Sequence, residues 1–195
     1  MRGLAYLTSP PQIADPEYVL TTGRLAIVTD FVHAEQADPV FGATLHKRIV
    51  EMFRENKVPA RVVPYEDVVE LRRVSPDFDT WSVQKIGRKL GADQVLYLRI
   101  EELHLRPPGE PVLVPKVELR LKVIGVQDPA VHARLWPDKD AEPDGRTVVH
   151  QRAPLEVDSY EKLDAEAGKL AREAGCYVAR HFHKYDLEAP PPREP

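Results

Sequence analysis

The chain has 195 residues, of which 43% are hydrophobic and 30% are charged, and its formal net charge is −4 at pH 7. These values are typical of one soluble globular domain, which at this length buries about 70% of its unfolded surface. A weakly acidic chain lacks the positive charge expected for nucleic-acid binding. It also has no run near the roughly 18 apolar residues of a membrane-spanning helix. Cys176 is the only cysteine, which excludes an intramolecular disulfide.

The chain is predicted to begin with an arm and a buried strand. Residues 1–22 contain three prolines and no sustained period, which is typical of an arm that Tyr6 and Tyr18 could pin to the rest. Residues 24–32, RLAIVTDFV, form the first predicted strand.

A long helix, a short strand and a short helix are expected next. Asp38 is positioned to cap the long helix, with Pro39 at the first helical position, where its missing N–H is harmless. Residues 60–63 predict the short strand and residues 65–74 the short helix. The apolar stripe of the long helix consists of Phe41, Leu45, Ile49, Met52 and Phe53.

Residues 81–105 predict a helix that stops at a glycine and continues directly into a buried strand. Asp79 or Thr80 is expected to cap this helix, and Gly91 ends it, because glycine takes the left-handed conformation without a Cβ clash. A nearly continuous apolar run follows, which is typical of a strand covered on both faces and therefore of the centre of a sheet. The run consists of Val95, Leu96, Tyr97, Leu98 and Ile100.

The second half of the chain predicts two strands, a loop and the longest helix. Residues 112–126 alternate apolar and charged side chains with a period of two, which indicates one buried and one wet face. Residues 127–145 predict a long surface loop, residues 146–152 a last strand, and residues 158–184 an amphipathic helix. Residues 186–195 form a proline-rich tail.

These elements predict an α/β fold with a single five-stranded mixed sheet and helices on both faces. Three strands joined through helices should be parallel, with right-handed crossovers, and the last three should form an antiparallel meander. The expected strand order is 2-1-3-4-5. The expected organisation is an N-terminal arm at 1–22, a single α/β domain at 23–185 and a tail at 186–195.

An acidic loop is the strongest candidate for ligand binding. Asp30, Glu35 and Asp38 follow the first strand, where ligands bind in open α/β sheets, and their oxygens could hold a divalent cation. Alternatively, Asp38 caps a helix and the other two are solvated. Glu101 and Glu102, adjacent on a strand, are expected on opposite faces. The sequence shows no catalytic constellation, which predicts a non-enzymatic protein without a cofactor.

Two features are candidates for protein contact. One is the wet face of the alternating strand, and the other is the loop around Trp136, since exposed aromatic residues are enriched at interfaces. The alternative for Trp136 is a side chain folded back as a lid over the sheet. The wet face consists of Lys116, Glu118, Arg120 and Lys122.

Several stretches together resemble a bacterial envelope group, and the most family-like phrase is the GAD-plus-apolar strand from Gly91 to Ile100. The stretches are RLAIVTDF, PARVVPYEDV, IGRKLGADQVLYLRIEELHL, LKVIGVQDPA and HFHKY. Over residues 24–185 the chain is similar to uncharacterised bacterial lipoproteins. It also resembles the small α/β domain of curli-secretion-type lipoproteins, penicillin-binding-protein activator lipoproteins and the N-terminal domain of the Tol β-propeller protein.

The resemblance implies a non-enzymatic protein-binding or scaffold domain of the cell envelope, with an envelope protein as partner and no nucleic acid. The sequence lacks the signal peptide and lipobox cysteine of the group. We therefore expect an export signal upstream of Met1, where a lipid anchor could also lie, and a location in the periplasm or at the outer membrane. If the given start is real, the location is cytoplasmic. The alternative function is a small-ligand or divalent-cation-binding module that uses the acidic loop.

Overall fold

The computed structural model describes residues 12–105, 112–127, 133–156 and 159–187. Short 3-10 turns at Ala34–Gln36 and Phe78–Thr80 precede α1 and α3. In chain order the elements are β1 (Ile13–Ala14), β2 (Arg24–Phe31), α1 (Pro39–Glu55), β3 (Arg61–Val62), α2 (Tyr65–Val74), α3 (Val83–Lys89), β4 (Gln94–His104), β5 (Val112–Leu113), β6 (Lys116–Gly125), β7 (Arg134–Trp136), β8 (Arg146–Gln151), β9 (Leu155–Glu156), α4 (Tyr160–Arg180) and β10 (Tyr185–Asp186).

The main sheet is mixed and has six strands, in the order β3-β2-β4-β6, with β7 and β8 both paired to the far side of β6. β3 and β4 run parallel to β2, whereas β6 is antiparallel to β4 and to both of its outer neighbours. The mixed α/β class and the change from parallel to antiparallel pairing are confirmed. The prediction of five strands is wrong, because part of the expected loop at 127–145 forms β7.

Two short strand pairs lie outside the main sheet. β1 pairs with β10, and β5 pairs with β9. The predicted strand at 112–126 is therefore divided. Pro115 lies at the break, because a proline has no N–H to donate to a ladder, and its carbonyl instead accepts from the backbone N–H of Arg152 at 2.9 Å.

Helices cover the sheet on two sides. α1 and α4 pack on one face, where Leu96 and Leu98 have no exposed surface. α2 and α3 pack on the other face, over the amino-terminal parts of β2 and β4. α3 comes close because it carries Gly87, where a Cβ atom would lie 2.5 Å from Val126 Cγ2. Gly91, at φ 62°, then turns the chain into β4.

The described part of the N-terminal arm is packed against the end of α4. The backbone N–H groups of Glu17 and Tyr18 both donate to the carbonyl of His181, and Leu20 is 1% exposed. The hydroxyl of Tyr18 accepts from Gln94 Nε2 at 2.9 Å. Tyr18 thus pins the arm, while Tyr6 lies outside the described residues.

The helix caps follow the prediction at α1 and depart from it at α3. The carboxylate of Asp38 accepts from two backbone N–H groups at the start of α1. The cap of α3 is Ser82, whose hydroxyl accepts from Lys85 N. Asp79 and Thr80 are not used because they belong to the preceding 3-10 turn, where the Thr80 hydroxyl donates to the Asp77 carbonyl. No helix in the described ranges has the length and apolarity to cross a membrane.

Candidate protein-binding face of the sheet

Among the described residues, no helix covers part of one sheet face. Tyr97 of β4 still packs in the cluster beneath α2 and α3, but Arg99, two residues further, is exposed. We call the outward side chains beyond Tyr97 the open face. They alternate with residues of the buried core, so the rigid interior of the sheet fixes their positions. The open face consists of Arg99, Glu101 and Glu102 of β4, Lys116, Glu118, Arg120 and Lys122 of β6, and Thr147 and Val149 of β8.

A β-bulge sets the charge pattern at the centre of the open face. The register of β4 on β6 shifts between Ile100 and Glu102, so Glu101 is the extra residue. Glu101 forms ion pairs with both Arg99 and Arg120, with its Oε1 atom 3.6 Å from each Nε. Arg99 and Arg120 are paired directly across the two strands, which would repel without this shared carboxylate.

Because of the bulge, Glu102 also reaches the open face, and the prediction that Glu101 and Glu102 face opposite sides is wrong. Lys116 Nζ donates to one Glu102 oxygen at 2.6 Å, and His104 Nε2 lies 2.6 Å from the other. The bond from Lys116 lowers the pKa of Glu102, and His104 lowers it further. This end of the open face is therefore locally neutralised.

The opposite end of the open face is basic. Lys122 makes no ion pair with any described residue, and its stem lies over the backbone of Gly145. Burial lowers the pKa of Lys122, and Arg134 lowers it further, while Asp144 raises it. Arg134 Nη1 donates to the Pro143 carbonyl at 2.9 Å. We call the cations on this side of the sheet the basic cluster, which consists of Arg99, Arg120, Lys122 and Arg134.

The predicted protein-contact residues therefore separate into two groups. The four residues of the alternating strand are half-buried on the open face, as the period-two pattern indicates. Trp136 is 6% exposed and cannot offer its ring to a partner. Its ring packs 5.4 Å from the rings of both His181 and Phe182. The alternative, a tryptophan folded back over the sheet, is the observed arrangement.

The three carboxylates of the acidic loop have separate partners. Asp30 accepts from the Tyr97 hydroxyl at 2.9 Å. Burial raises the pKa of Tyr97, and the charge of Asp30 raises it further, which keeps the hydroxyl protonated as a donor. Glu35 is exposed and 3.8 Å from His33, and Asp38 caps α1. Within the described residues, no group of three His, Cys, Asp or Glu side chains could hold a metal ion.

A charged network between β8 and α4 was missed by the sequence reasoning. Glu173 accepts from Arg152, and His150 Nε2 lies 2.6 Å from its other oxygen. Burial raises the pKa of Glu173, but these two bonds more than offset it and the pKa is lowered overall. Arg152 also donates to Glu166 at 3.1 Å. The network contains no serine, threonine or cysteine that His150 could activate, so we assign it to holding α4 on the sheet. Its bonded partners lie 14 to 23 residues apart on two segments, and no local spacing signals it.

The end of α4 also differs from the prediction. The helix ends at Arg180, so His181 is its cap and His183 lies beyond it. Burial lowers the pKa of His181, against the effect of the Glu17 carboxylate 2.9 Å away. His183 is 6% exposed, and its Nδ1 donates to the Lys184 carbonyl. Each imidazole thus has its own structural contact.

No protein-family model matches the chain, and no curated protein matches its sequence. Several solved structures are similar to it, and three of them illustrate the range. The PelC dodecamer from Paraburkholderia phytofirmans is 14% identical over 88% of this chain and 94% of that chain, with a TM-score of 0.42. Lipoprotein GNA1162 from Neisseria meningitidis is 12% identical over 75% and 93%, with a TM-score of 0.44. Protein XCC0632 from Xanthomonas campestris is 11% identical over 87% and 86%, with a TM-score of 0.46.

Bacterial lipoproteins are thus among the structures that resemble the chain. The more specific resemblance to curli-secretion-type lipoproteins and to the Tol protein stays a prediction. Similarity this distant does not transfer a function, so function has to be inferred from the chain's own residues.

Proposed function

We propose that this chain is a non-enzymatic protein-binding domain of the bacterial cell envelope, and that its partner docks on the open face. The observation that carries the proposal is that, among the described residues, helices leave part of one sheet face uncovered. One face is fully packed by α1 and α4, whereas the other is only partly covered by α2 and α3. The uncovered part presents fixed charged side chains around the exposed Val149, which is 54% accessible.

Such a surface suits recognition of a folded or extended protein segment. Its side chains project from β4, β6 and β8 of one sheet, so the backbone that carries them is already ordered before a partner binds. Charged groups held at fixed positions give specificity and a fast encounter. The carboxylates of the acidic loop and the side chains of the network between β8 and α4 have structural partners, which supports a binding role over a catalytic one. The envelope location is supported by the resemblance at Gly91 to Ile100.

Site-specific photocrosslinking tests the proposal. A benzophenone amino acid replaces Val149 on the open face in one variant and Val40 on α1 in the other. Val40 is a matched control, because it is also an exposed valine, at 71%, and lies on the helix-covered side. We expect a discrete crosslinked protein product from position 149 in envelope extracts and none from position 40. Equal labelling from both positions, or none from position 149, would contradict the proposal.

Fractionation tests the location separately. The tagged protein, expressed from its own gene with the natural upstream DNA, should be recovered with the periplasmic or membrane fraction. Recovery with the cytoplasmic fraction would remove the envelope from the proposal and leave the binding role to be judged by the crosslinking.

A further inference from the structure

The basic cluster carries more positive charge than its surroundings neutralise. Within the described residues, Glu101 is the carboxylate that forms ion pairs with it, and it contacts only Arg99 and Arg120. Lys122 and Arg134 form no ion pair there. Asp144 acts on Lys122, and Asp138 on Arg134, only at longer range. An acidic chain with a formal net charge of −4 thus gathers four cations on one side of its sheet.

Arg134 holds hydrogen-bond donors that no described residue accepts from. Its Nε and Nη2 are shielded from solvent and have no hydrogen-bond partner in the described part of the chain, whereas Nη1 donates to the Pro143 carbonyl. Donors of this kind usually find an acceptor, because an unsatisfied charged donor is costly. Arg134 is paired in register with Ile124, two residues along β6 from Lys122. The unused donors and the unpaired ammonium therefore belong to the same corner of the sheet.

The spacing of the cations fits an extended segment. Arg120 and Lys122 are alternate residues of β6 on the same face, about 7 Å apart along the strand, which is also the spacing of alternate side chains in an extended peptide. A guanidinium takes a carboxylate through two parallel hydrogen bonds, whereas the lysine acts as a point charge.

We infer that the basic cluster binds an acidic segment of the partner protein, with the carboxylates of its Asp and Glu residues as ligands. The inference rests on the proposed function and names the chemistry of the partner. A short acidic segment interacts mainly with the nearby cations, because charges beyond a Debye length of about 8 Å are screened at physiological salt. A long polyanion such as DNA would also meet the net negative charge of the whole chain.

Fluorescence anisotropy with a labelled oligoglutamate peptide tests the inference. The double variant Arg120→Gln and Lys122→Gln removes two cations and keeps the length of both side chains. The control double variant, Lys47→Gln and Arg54→Gln, makes the same change of charge at exposed positions of α1, on the other side of the sheet. We expect about tenfold weaker binding for the cluster variant, a steep loss with added salt, and wild-type binding for the control. Lys122→Arg should bind as the wild type does.

Three results would overturn the inference. The first is that the wild type does not bind oligoglutamate, and the second is that both double variants weaken peptide binding equally. The third is that the wild type binds a DNA oligonucleotide or phosphatidylglycerol vesicles more tightly than the peptide. Circular-dichroism melts establish that both double variants are folded. Crosslinking from position 149 separates the two proposals. If the crosslink forms in the wild type and equally in the cluster variant, the inference of an acidic partner segment is wrong and the proposed docking face stands. If the wild type gives no crosslink, the proposed function fails.

Discussion

His46 is expected to make the stability of this fold fall in mild acid. The residue lies on α1 and is 5% exposed, and its Nε2 atom has no hydrogen-bond partner among the residues that the structure describes. Its ring is 5.0 Å from that of Tyr65 at the start of α2. Burial lowers the pKa of His46 from 6.5 to about 4, against a smaller opposing effect of Glu66. Protonation would place an uncompensated charge between two packed helices.

The sign and size of the effect follow from proton linkage. The pKa of His46 is lower in the folded state, so the unfolded state binds more protons between about pH 6.5 and 4. Stability is fully present above this range and falls as the pH is lowered through it. With one unit of pKa equal to 1.36 kcal/mol, the free energy of unfolding should fall by about 2 kcal/mol between pH 8 and pH 5 from this residue alone.

Urea denaturation at the two pH values measures the effect. His46→Phe keeps an aromatic ring beside Tyr65 and removes the titration, so its loss of stability on acidification should be smaller than that of the wild type by about 2 kcal/mol. The other groups with shifted pKa values, His181 among them, are present in both proteins and cancel in the difference. His33→Gln is the control, because the side chain of His33 is 50% exposed. A wild-type pH dependence in His46→Phe would refute the reasoning.

Three further predictions concern the backbone and the acidic loop. Gly91→Ala should destabilise the fold by about 1–2 kcal/mol in chemical denaturation, since Gly91 has φ 62°. Gly42→Ala is the control, because Gly42 lies inside α1 with room for a methyl group, and it should stabilise the fold by about 0.5–1 kcal/mol. Equal effects of the two substitutions would argue against the left-handed turn. Gly87→Ala should cost about 1–3 kcal/mol in the same assay, because its methyl group would overlap Val126, and an unchanged denaturation midpoint would contradict the close approach of α3. Asp38→Ala should lower the free energy of unfolding by about 1 kcal/mol through loss of the cap. Calcium or magnesium should leave the melting temperature of the wild type unchanged, and a rise would favour the cation-binding alternative.

The elements that the sequence predicts well are those whose signals are local. Asp38, a proline and a stripe at helical spacing define α1 within one segment, and the structure places them as expected. Gly91 followed by an apolar run defines the turn into β4 and its buried position in the same way. The strict alternation of β6 correctly predicts which side chains face away from the core, including Arg120 and Lys122.

The features that the sequence does not reveal depend on distant partners. β7 lies in a stretch rich in polar residues, and it forms because Trp136 has a place beside Phe182 at the end of α4. Nothing near Trp136 in the chain announces that contact. The bulge at Glu101 is likewise a property of the pairing between two strands. The alternating pattern identifies only Arg120 and Lys122 of the basic cluster, and Arg134 joins them through β7, which the sequence does not predict.

Lysine footprinting tests the central claim most directly. The protein is labelled with and without the partner that the crosslinking identifies, which is purified separately and added. Lys122 lies on the open face and Lys47 on α1, so their labelling rates report on opposite sides of the sheet. The account predicts that the partner slows acetylation of Lys122 and leaves Lys47 unchanged. Protection of Lys47 with Lys122 still fully reactive would show that the partner docks on the helical side, and would contradict it.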